Sequence, residues 1–363
     1  MDPSVAPGVK PSVLAVCFFS SPGPVADNFY TLCCALAQQT RLSVLTSSPL
    51  QDRAIPGAAD TCYLDFPKQR PWRWLAPALW LRLLRYVRRE PFDLAFLYSE
   101  HPVHLAVSVT SRARRALFWC LDPKPHSGSR TIPAMLYELA KRGLLRRADR
   151  VAVACHALKA DLVARYGVPH HRVIVSFHGV LSNLAFPEID APVRDIDLLF
   201  FGRLEAYKGV DVLLEAVRRL RLRGRSPRVV VAGTGPWRVA EAPGVTIDDR
   251  YLPDRDLARL VARSRIVVLP YRDATGSQAP QTAFAYGTPV VASAVGCLAE
   301  YVDDGITGLL VPPGDAARLA DALDRLLGDA ELWNAMSRRA REAANVTFSN
   351  EPLTARLLDQ ALT

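Results

Sequence analysis

Two segments constrain the fold of this 363-residue chain most. The first is the apolar run 197–201 and its continuation Phe201-Gly202-Arg203-Leu204-Glu205-Ala206-Tyr207-Lys208-Gly209. The second runs from Val267 to Ser293 and reads VVLPYRDATGSQAPQTAFAYGTPVVAS. Each begins as a buried strand, turns through glycine and enters an amphipathic helix. Units of this kind aim backbone N–H groups and a positive helix end at one spot. Arg203 and Lys208 add two cations near the first such spot. A guanidinium fork and a point charge together suit a bridging diphosphate.

The same alternation extends along the chain. Strands are expected at 13–19, 41–46, 94–98, 115–119, 150–153 and 173–176, then at 197–201, 228–232, 245–247, 266–269, 289–292 and 308–311. Helical stretches fall between them, among them 25–38, 74–89, 133–146, 157–166, 209–222, 254–262, 281–285, 315–327 and 331–344. Continuous apolar strands separated by helices mean parallel sheets covered on both faces. The proline-punctuated segment PEIDAPVR, 187–194, separates two such series. The expectation is an α/β protein with an N-terminal doubly wound domain over 1–190 and a second over 191–345. A last helical segment, 346–363, packs back on the first. Ligands would sit at the carboxyl ends of the strands, facing a cleft between domains.

Seven cysteines lie scattered without a CxxC pair, which predicts a reduced, cytoplasmic protein without zinc. No apolar run reaches the ~18 residues of a membrane span, and the apolar segment 13–19 reads as a core strand rather than a signal peptide. Charge is unevenly placed. Residues 1–190 hold 23 Lys and Arg against 14 Asp and Glu, whereas 191–363 hold 22 of each. The basic half predicts an anionic partner such as the inner face of a membrane, a lipid phosphate or an acidic glycan. An arginine-rich composition is the other reading. Helix 74–89 carries Arg82, Arg85 and Arg89 on one face and serves either as a membrane-surface helix or as a core helix of the first sheet. Adjacent acids at Asp248-Asp249 and Asp303-Asp304 read as turn residues, not metal ligands.

The phrase GRLEAYKG at 202–209 and the segment AYGTPVVASAVGCLAEYVDDGITGLLVPPGD at 285–315 resemble glycosyltransferase family 4. The family forms are GRLxxxKG and AxGxPVVAxxxGGxxExVxxGxxGxLVPPGD. The resemblance covers most of 197–344 and is weaker in the N-terminal half. It implies the GT-B fold, two Rossmann-like domains facing a central cleft. It also implies a nucleotide diphosphate sugar as donor, transfer with retention, and no cofactor, bound metal or nucleic acid partner. Arg203 and Lys208 would then clamp the diphosphate, with Gly202 in the loop.

Other positions carry over with departures. The family's Glu-x7-Glu pair falls at Ala274 and Thr282, so both carboxylates are missing. The loop LPYRDATGSQA is closer to a subgroup reading LPYRSATQSGV. There Ser277, Gln278 and Ala279 would line the donor sugar and phosphates, and Thr282 would stand near the ribose. Gly233-Thr234 matches a GxGP turn beside the donor, and Arg250-Tyr251 the stretch near the base. In the first domain, Gly23 lies where the family has a GG loop, with Pro24 replacing the other glycine. The segment 119–126 is similar to xHDPxPH, with Leu121 where the family histidine falls and Asp122 and His126 as the remaining polar groups. His178 in Ser176-Phe177-His178-Gly179 is either an acceptor contact or a histidine closing a strand.

These resemblances imply a hexosyl transferase acting on a glycan, lipid-linked or small-molecule hydroxyl. His126 would face the reacting sugar. The lost carboxylates and histidine leave two alternatives: a nucleotide-sugar-binding or partner protein without catalysis, and a nucleotide-sugar epimerase or phosphorylase on the same fold.

Overall fold

The computed structural model describes residues 9–19, 23–66, 71–123, 132–184, 186, 189 and 193–363. Two compact units divide the chain. One comprises 1–177 with 350–363, the other 178–349.

The first unit runs β1 (Ser12–Cys17), α1 (Pro24–Gln39), β2 (Arg41–Thr46), β3 (Asp60–Tyr63), α2 (Pro77–Arg88), β4 (Phe92–Tyr98), α3 (Pro102–Thr110), β5 (Ala113–Trp119), α4 (Ile132–Arg147), β6 (Arg150–Val153), α5 (His156–Tyr166) and β7 (Val173–Val175). Its strands pair in parallel in the order β3-β2-β1-β4-β5-β6-β7. From Val13 to Cys17 and from Leu94 to Tyr98 almost nothing is exposed, which is why these strands read as unbroken apolar runs. The edge strand β3, DTCY, is half-buried throughout and carries no such run.

The second unit continues with β8 (Ile196–Phe201), α6 (Val210–Leu222), β9 (Val229–Ala232), β10 (Val245–Asp248), α7 (Asp254–Ala262), β11 (Ser264–Leu269), α8 (Ala279–Ala285), β12 (Val290–Ser293), α9 (Leu298–Tyr301), β13 (Gly308–Val311), α10 (Ala316–Gly328) and α11 (Ala330–Asn345). The order is β10-β9-β8-β11-β12-β13, again all parallel. In both sheets the order reverses beside the first strand, between β1 and β4 and between β8 and β11. A crevice opens at the carboxyl ends of strands at such a point.

The last helix, α12 (Asn350–Leu362), belongs to the first unit. Leu357, Leu358 and Ala361 join Val13, Phe29, Leu36, Phe96 and Trp119 in one core. Gln39 Nε2 donates to Thr354 Oγ1 at 2.8 Å, and Arg150 Nε to the Gln360 carbonyl at 3.1 Å. Burying each leucine is worth roughly 1.5–3 kcal/mol.

The change of unit falls between Phe177 and His178, ahead of the proline-rich segment expected to mark it. Hydrogen bonds explain the position. Val180 N–H donates to the Phe348 carbonyl at 3.0 Å, Asn183 Nδ2 to Asp254 at 2.9 Å, and Tyr286 O–H to the Leu184 carbonyl at 2.6 Å. Residues 178–184 are therefore tied into the second unit.

Candidate active site

The carboxyl edge of the second sheet is shaped by close backbone approach. Gly202 N–H donates to the Ala232 carbonyl at 3.0 Å, Leu204 N–H to Thr234 at 3.0 Å, and Trp237 N–H to Leu204 at 3.1 Å. The loops after β8 and β9 thus run on side by side. Gly233 has φ 138°, and a Cβ there would stand 1.9 Å from the Gly202 carbonyl oxygen. Gly209, with φ 68°, caps α6, and a Cβ on it would lie 2.0 Å from the Pro270 oxygen. Only glycine lets the start of α6 meet the loop after β11.

Lys208 stands at that junction. Its Nζ is 3.8 Å from the centre of the Tyr271 ring and 5.3 Å from that of Tyr207. Among the described residues the ammonium makes no ion pair. The neighbouring acid is already engaged: Arg272 bonds Asp211 through two nitrogens, at 2.7 and 2.5 Å. Hydrogen bonding and then the charge of Arg272 pull the Asp211 carboxyl below its usual range. Arg272 also donates from its amide to the Tyr207 carbonyl at 2.7 Å and from its side chain to Ala206 at 3.1 Å. Arg203 is exposed and its Nε lies 2.7 Å from Glu205. The edge therefore presents a helix N-terminus, one unpaired cation and one cation on an exposed surface, a suitable cradle for a diphosphate.

The remaining donor-side candidates divide. Thr234, Arg250 and Tyr251 are exposed at the ends of β9 and β10, with Arg250 Nε donating to Asp248 at 2.8 Å. Ser277 is half-buried, and Gln278 donates to the Gly179 carbonyl at 3.1 Å. Ala279 is buried as the first residue of α8. Thr282, expected near the ribose, lies in the second turn of the α8 segment. It is buried, and its hydroxyl donates to the Gln278 carbonyl at 3.0 Å, the back-bond a helical threonine makes in the absence of another partner. Beside it Gln281 is fully buried with neither amide atom bonded.

In the first unit, Gly23 caps α1 with φ 150°, a Cβ there would meet nothing within 4 Å among the described residues, and its carbonyl accepts from Asp27 N–H at 3.0 Å. Leu121 packs against the core cluster. Asp122 N–H donates to Glu100 Oε1 at 3.0 Å, and its carbonyl accepts from Lys141 Nζ at 2.8 Å. His126 lies outside the described residues. His178, expected on the acceptor side, belongs to the second unit and is buried, and burial lowers its pKa to about 4. On α2, Leu83 and Val87 are buried while Arg82, Arg85 and Arg88 are exposed. Arg89 leaves the free face, because it binds Asp60 and, at 2.7 Å, Ser43.

Sequence reasoning did not single out Tyr271, Arg272, Glu100 or Lys141. Tyr271 and Arg272 follow an apolar run directly, as Glu100 follows β4 after one serine. A polar or aromatic residue at the carboxyl end of a buried parallel strand was the available signal.

Two doubly wound parallel sheets, each with a crevice at its carboxyl edge, define a GT-B fold. The Anabaena HepE structure in complex with UDP-glucose matches it with a TM-score of 0.72, over 96% of this chain and 98% of that one, at 19% identity. A family model described as "Glycosyl transferases group 1" matches residues 195–329, and one described as "Glycosyl transferase 4-like domain" matches 25–176. The chain belongs to the family-4 type of glycosyltransferases. Among curated relatives, a D-inositol 3-phosphate glycosyltransferase of Corynebacterium aurimucosum is 30% identical over 67% of this chain and 60% of its own length. The alpha-D-kanosaminyltransferase of Streptomyces kanamyceticus is 29% identical over 58% and 59%. The chain thus spans about three fifths of the length of these relatives.

Proposed function

We propose that this chain transfers a hexosyl unit from a nucleotide diphosphate sugar to a hydroxyl of a glycan, lipid-linked or small-molecule acceptor, with retention at the anomeric carbon. The observation that carries the reading is the unpaired Lys208 ammonium fixed over Tyr271 at the N-terminus of α6. As the bond from the anomeric carbon to the phosphate oxygen breaks, negative charge grows on the departing diphosphate. Lys208, Arg203 and the α6 amides meet that charge. The acceptor oxygen bonds the anomeric carbon on the same face, and its proton passes to the departing phosphate oxygen. The two cations take the role a metal ion would otherwise fill, so no bound metal or cofactor is needed.

UDP is the first nucleotide to test, since HepE binds UDP-glucose. A thermal-shift series with UDP, GDP, ADP and TDP identifies the base, because a ligand at 100 times its dissociation constant stabilises by about 2.7 kcal/mol. NMR of the product from the matching donor then reads the anomeric configuration. Inversion rejects the retaining course, and a product still linked to nucleotide indicates an epimerase.

Two observations favour a second reading, a binding protein without catalysis. Leu121 is spent on packing and the Thr282 hydroxyl on its own helix. Nucleotide binding without transfer or hydrolysis of any matched donor would select it. The exposed Arg82, Arg85 and Arg88 beside exposed Leu81 also suit peripheral contact with an anionic membrane. Co-sedimentation with phosphatidylglycerol but not phosphatidylcholine vesicles checks that contact.

A further inference from the structure

The first sheet reverses its order between β1 and β4, so the residues after β4 border its ligand crevice. Ser99 follows β4 with φ 96°, the one non-glycine residue with positive φ among those described. Such backbone persists only where its surroundings over-determine it, and it clusters at ligand sites.

The next residue is Glu100, partly exposed at the rim. Oε1 accepts from Asp122 N–H at 3.0 Å. The buried Cys120 thiol lies nearby. A carboxylate offers about four acceptor positions, and a thiol is a weak donor. Capacity for an incoming hydroxyl remains. Lys141 of α4, 6% exposed, donates to the Asp122 carbonyl at 2.8 Å and pairs with Glu138 at 3.4 Å, and its positive charge is felt at Glu100. Rings stand alongside: Tyr137 feels the charge of Glu100, and its ring lies 5.5 Å from that of His101, which is 5.1 Å from that of Trp74. A few polar groups among aromatic walls make a small-ligand site. A purely structural carboxylate would require neither the strained Ser99 nor a rim position.

We infer that Glu100 is an acceptor-side contact whose carboxylate accepts hydroxyl hydrogens of a sugar or cyclic polyol at the carboxyl end of β4. The inference rests on the glycosyltransferase reading above and names its acceptor chemistry. Lys141 is a positioning residue that keeps the carboxylate charged. Burial pushes the Glu100 pKa up, and Lys141 opposes that rise. The titratable groups facing Glu100 are Lys141 and Tyr137 from α4, Cys120 and Asp122 from the end of β5, and Cys17 from β1.

The test uses the full chain with D-glucose, myo-inositol and glucosamine as probes, followed by calorimetry with and without UDP. At least one probe should bind, and Glu100→Gln should weaken it about tenfold or more, with UDP affinity held within twofold. Probe affinity of the unchanged protein should fall on acidification, while Glu100→Gln shows a flat profile. Glu100→Asp should restore part of the binding. If Glu100→Gln does not fold, the pH profile of the unchanged protein and Glu100→Asp decide. A flat profile, unaltered binding in the variant, or no probe bound at 100 times the UDP dissociation constant or above overturns the inference. Loss of UDP binding in the unchanged protein instead removes the donor reading, and the probe titrations without UDP still judge Glu100.

Discussion

The Lys208 ammonium lies 3.8 Å from the centre of the Tyr271 ring, and Tyr271 is 1% exposed. The ring is immobile, so the flexible lysine stem is oriented before any anion arrives. Pre-ordering of this kind reduces the entropy lost on binding. Replacing Tyr271 by leucine should weaken UDP binding by about 0.5–2 kcal/mol while uridine binding stays level. Calorimetry with both ligands checks it.

Removing the cations themselves should cost more. Lys208→Ala and Arg203→Ala are each expected to weaken UDP by roughly 1.5–3 kcal/mol and uridine by far less. Arg203 should show the smaller effect, because its side chain is 71% exposed and already engaged with Glu205. Equal losses for nucleoside and diphosphate would place the phosphate elsewhere.

Two glycines in one loop pair should behave differently. In Gly233→Ala the new methyl would lie 1.9 Å from a backbone oxygen at φ 138°, whereas Gly202→Ala meets nothing within 4 Å at φ 128°. The second change carries strain alone, about 1–3 kcal/mol. The first adds a backbone displacement, for a total of about 3 kcal/mol or more. Denaturant midpoints of the two variants should rank in that order.

Stability should fall between pH 6.5 and pH 4. His104 and His178 are buried, and burial lowers each pKa from 6.5 to about 4. The unfolded chain takes up these protons first. The stabilisation is therefore complete above about pH 6.5 and is lost as pH drops towards 4, up to about 3 kcal/mol for each histidine. His104→Asn can keep the bond that the imidazole makes to the Ser99 carbonyl at 2.8 Å. That variant should show a shallower slope of melting temperature against pH in this window.

Activity should survive EDTA. If Lys208, Arg203 and amides meet the diphosphate charge as proposed, chelation should leave the transfer rate unchanged within error. A rate lost in EDTA and restored by magnesium or manganese would reject the metal-free course.

Much of the architecture was legible because strands buried on both faces must be apolar throughout, as 94–98 and 198–201 are. What escaped lacks that signature. β3 is an edge strand of four half-buried residues, and α3, PVHLAVSVT, is rich in β-branched residues that blur the helical pattern. The position of His178 depends on hydrogen bonds to residues far along the chain, which no local pattern encodes. In the 202–209 phrase, Gly209 stands out in the sequence because glycine at a close backbone approach has no substitute. The role proposed for Glu100 had no such signature, because it rests on Ser99 geometry and on Lys141, a residue of another element. For Thr282, spacing places the residue along its helix but does not reveal that its hydroxyl bonds the Gln278 carbonyl.

Helix α12 sets the order in which the molecule can be completed during synthesis. The first unit emerges from the ribosome early, yet Leu357, Leu358 and Ala361 of its core come after the whole of 178–349. At about 5–20 residues per second, that interval lasts on the order of ten seconds or more. Throughout it the apolar floor beneath α12, around Leu36 and Trp119, stays uncovered and open to chaperones. The second unit, 178–349, is complete in sequence before this helix is made and can mature first. Nascent chains arrested before residue 350 should therefore hold a native second unit beside an unfinished, aggregation-prone first one.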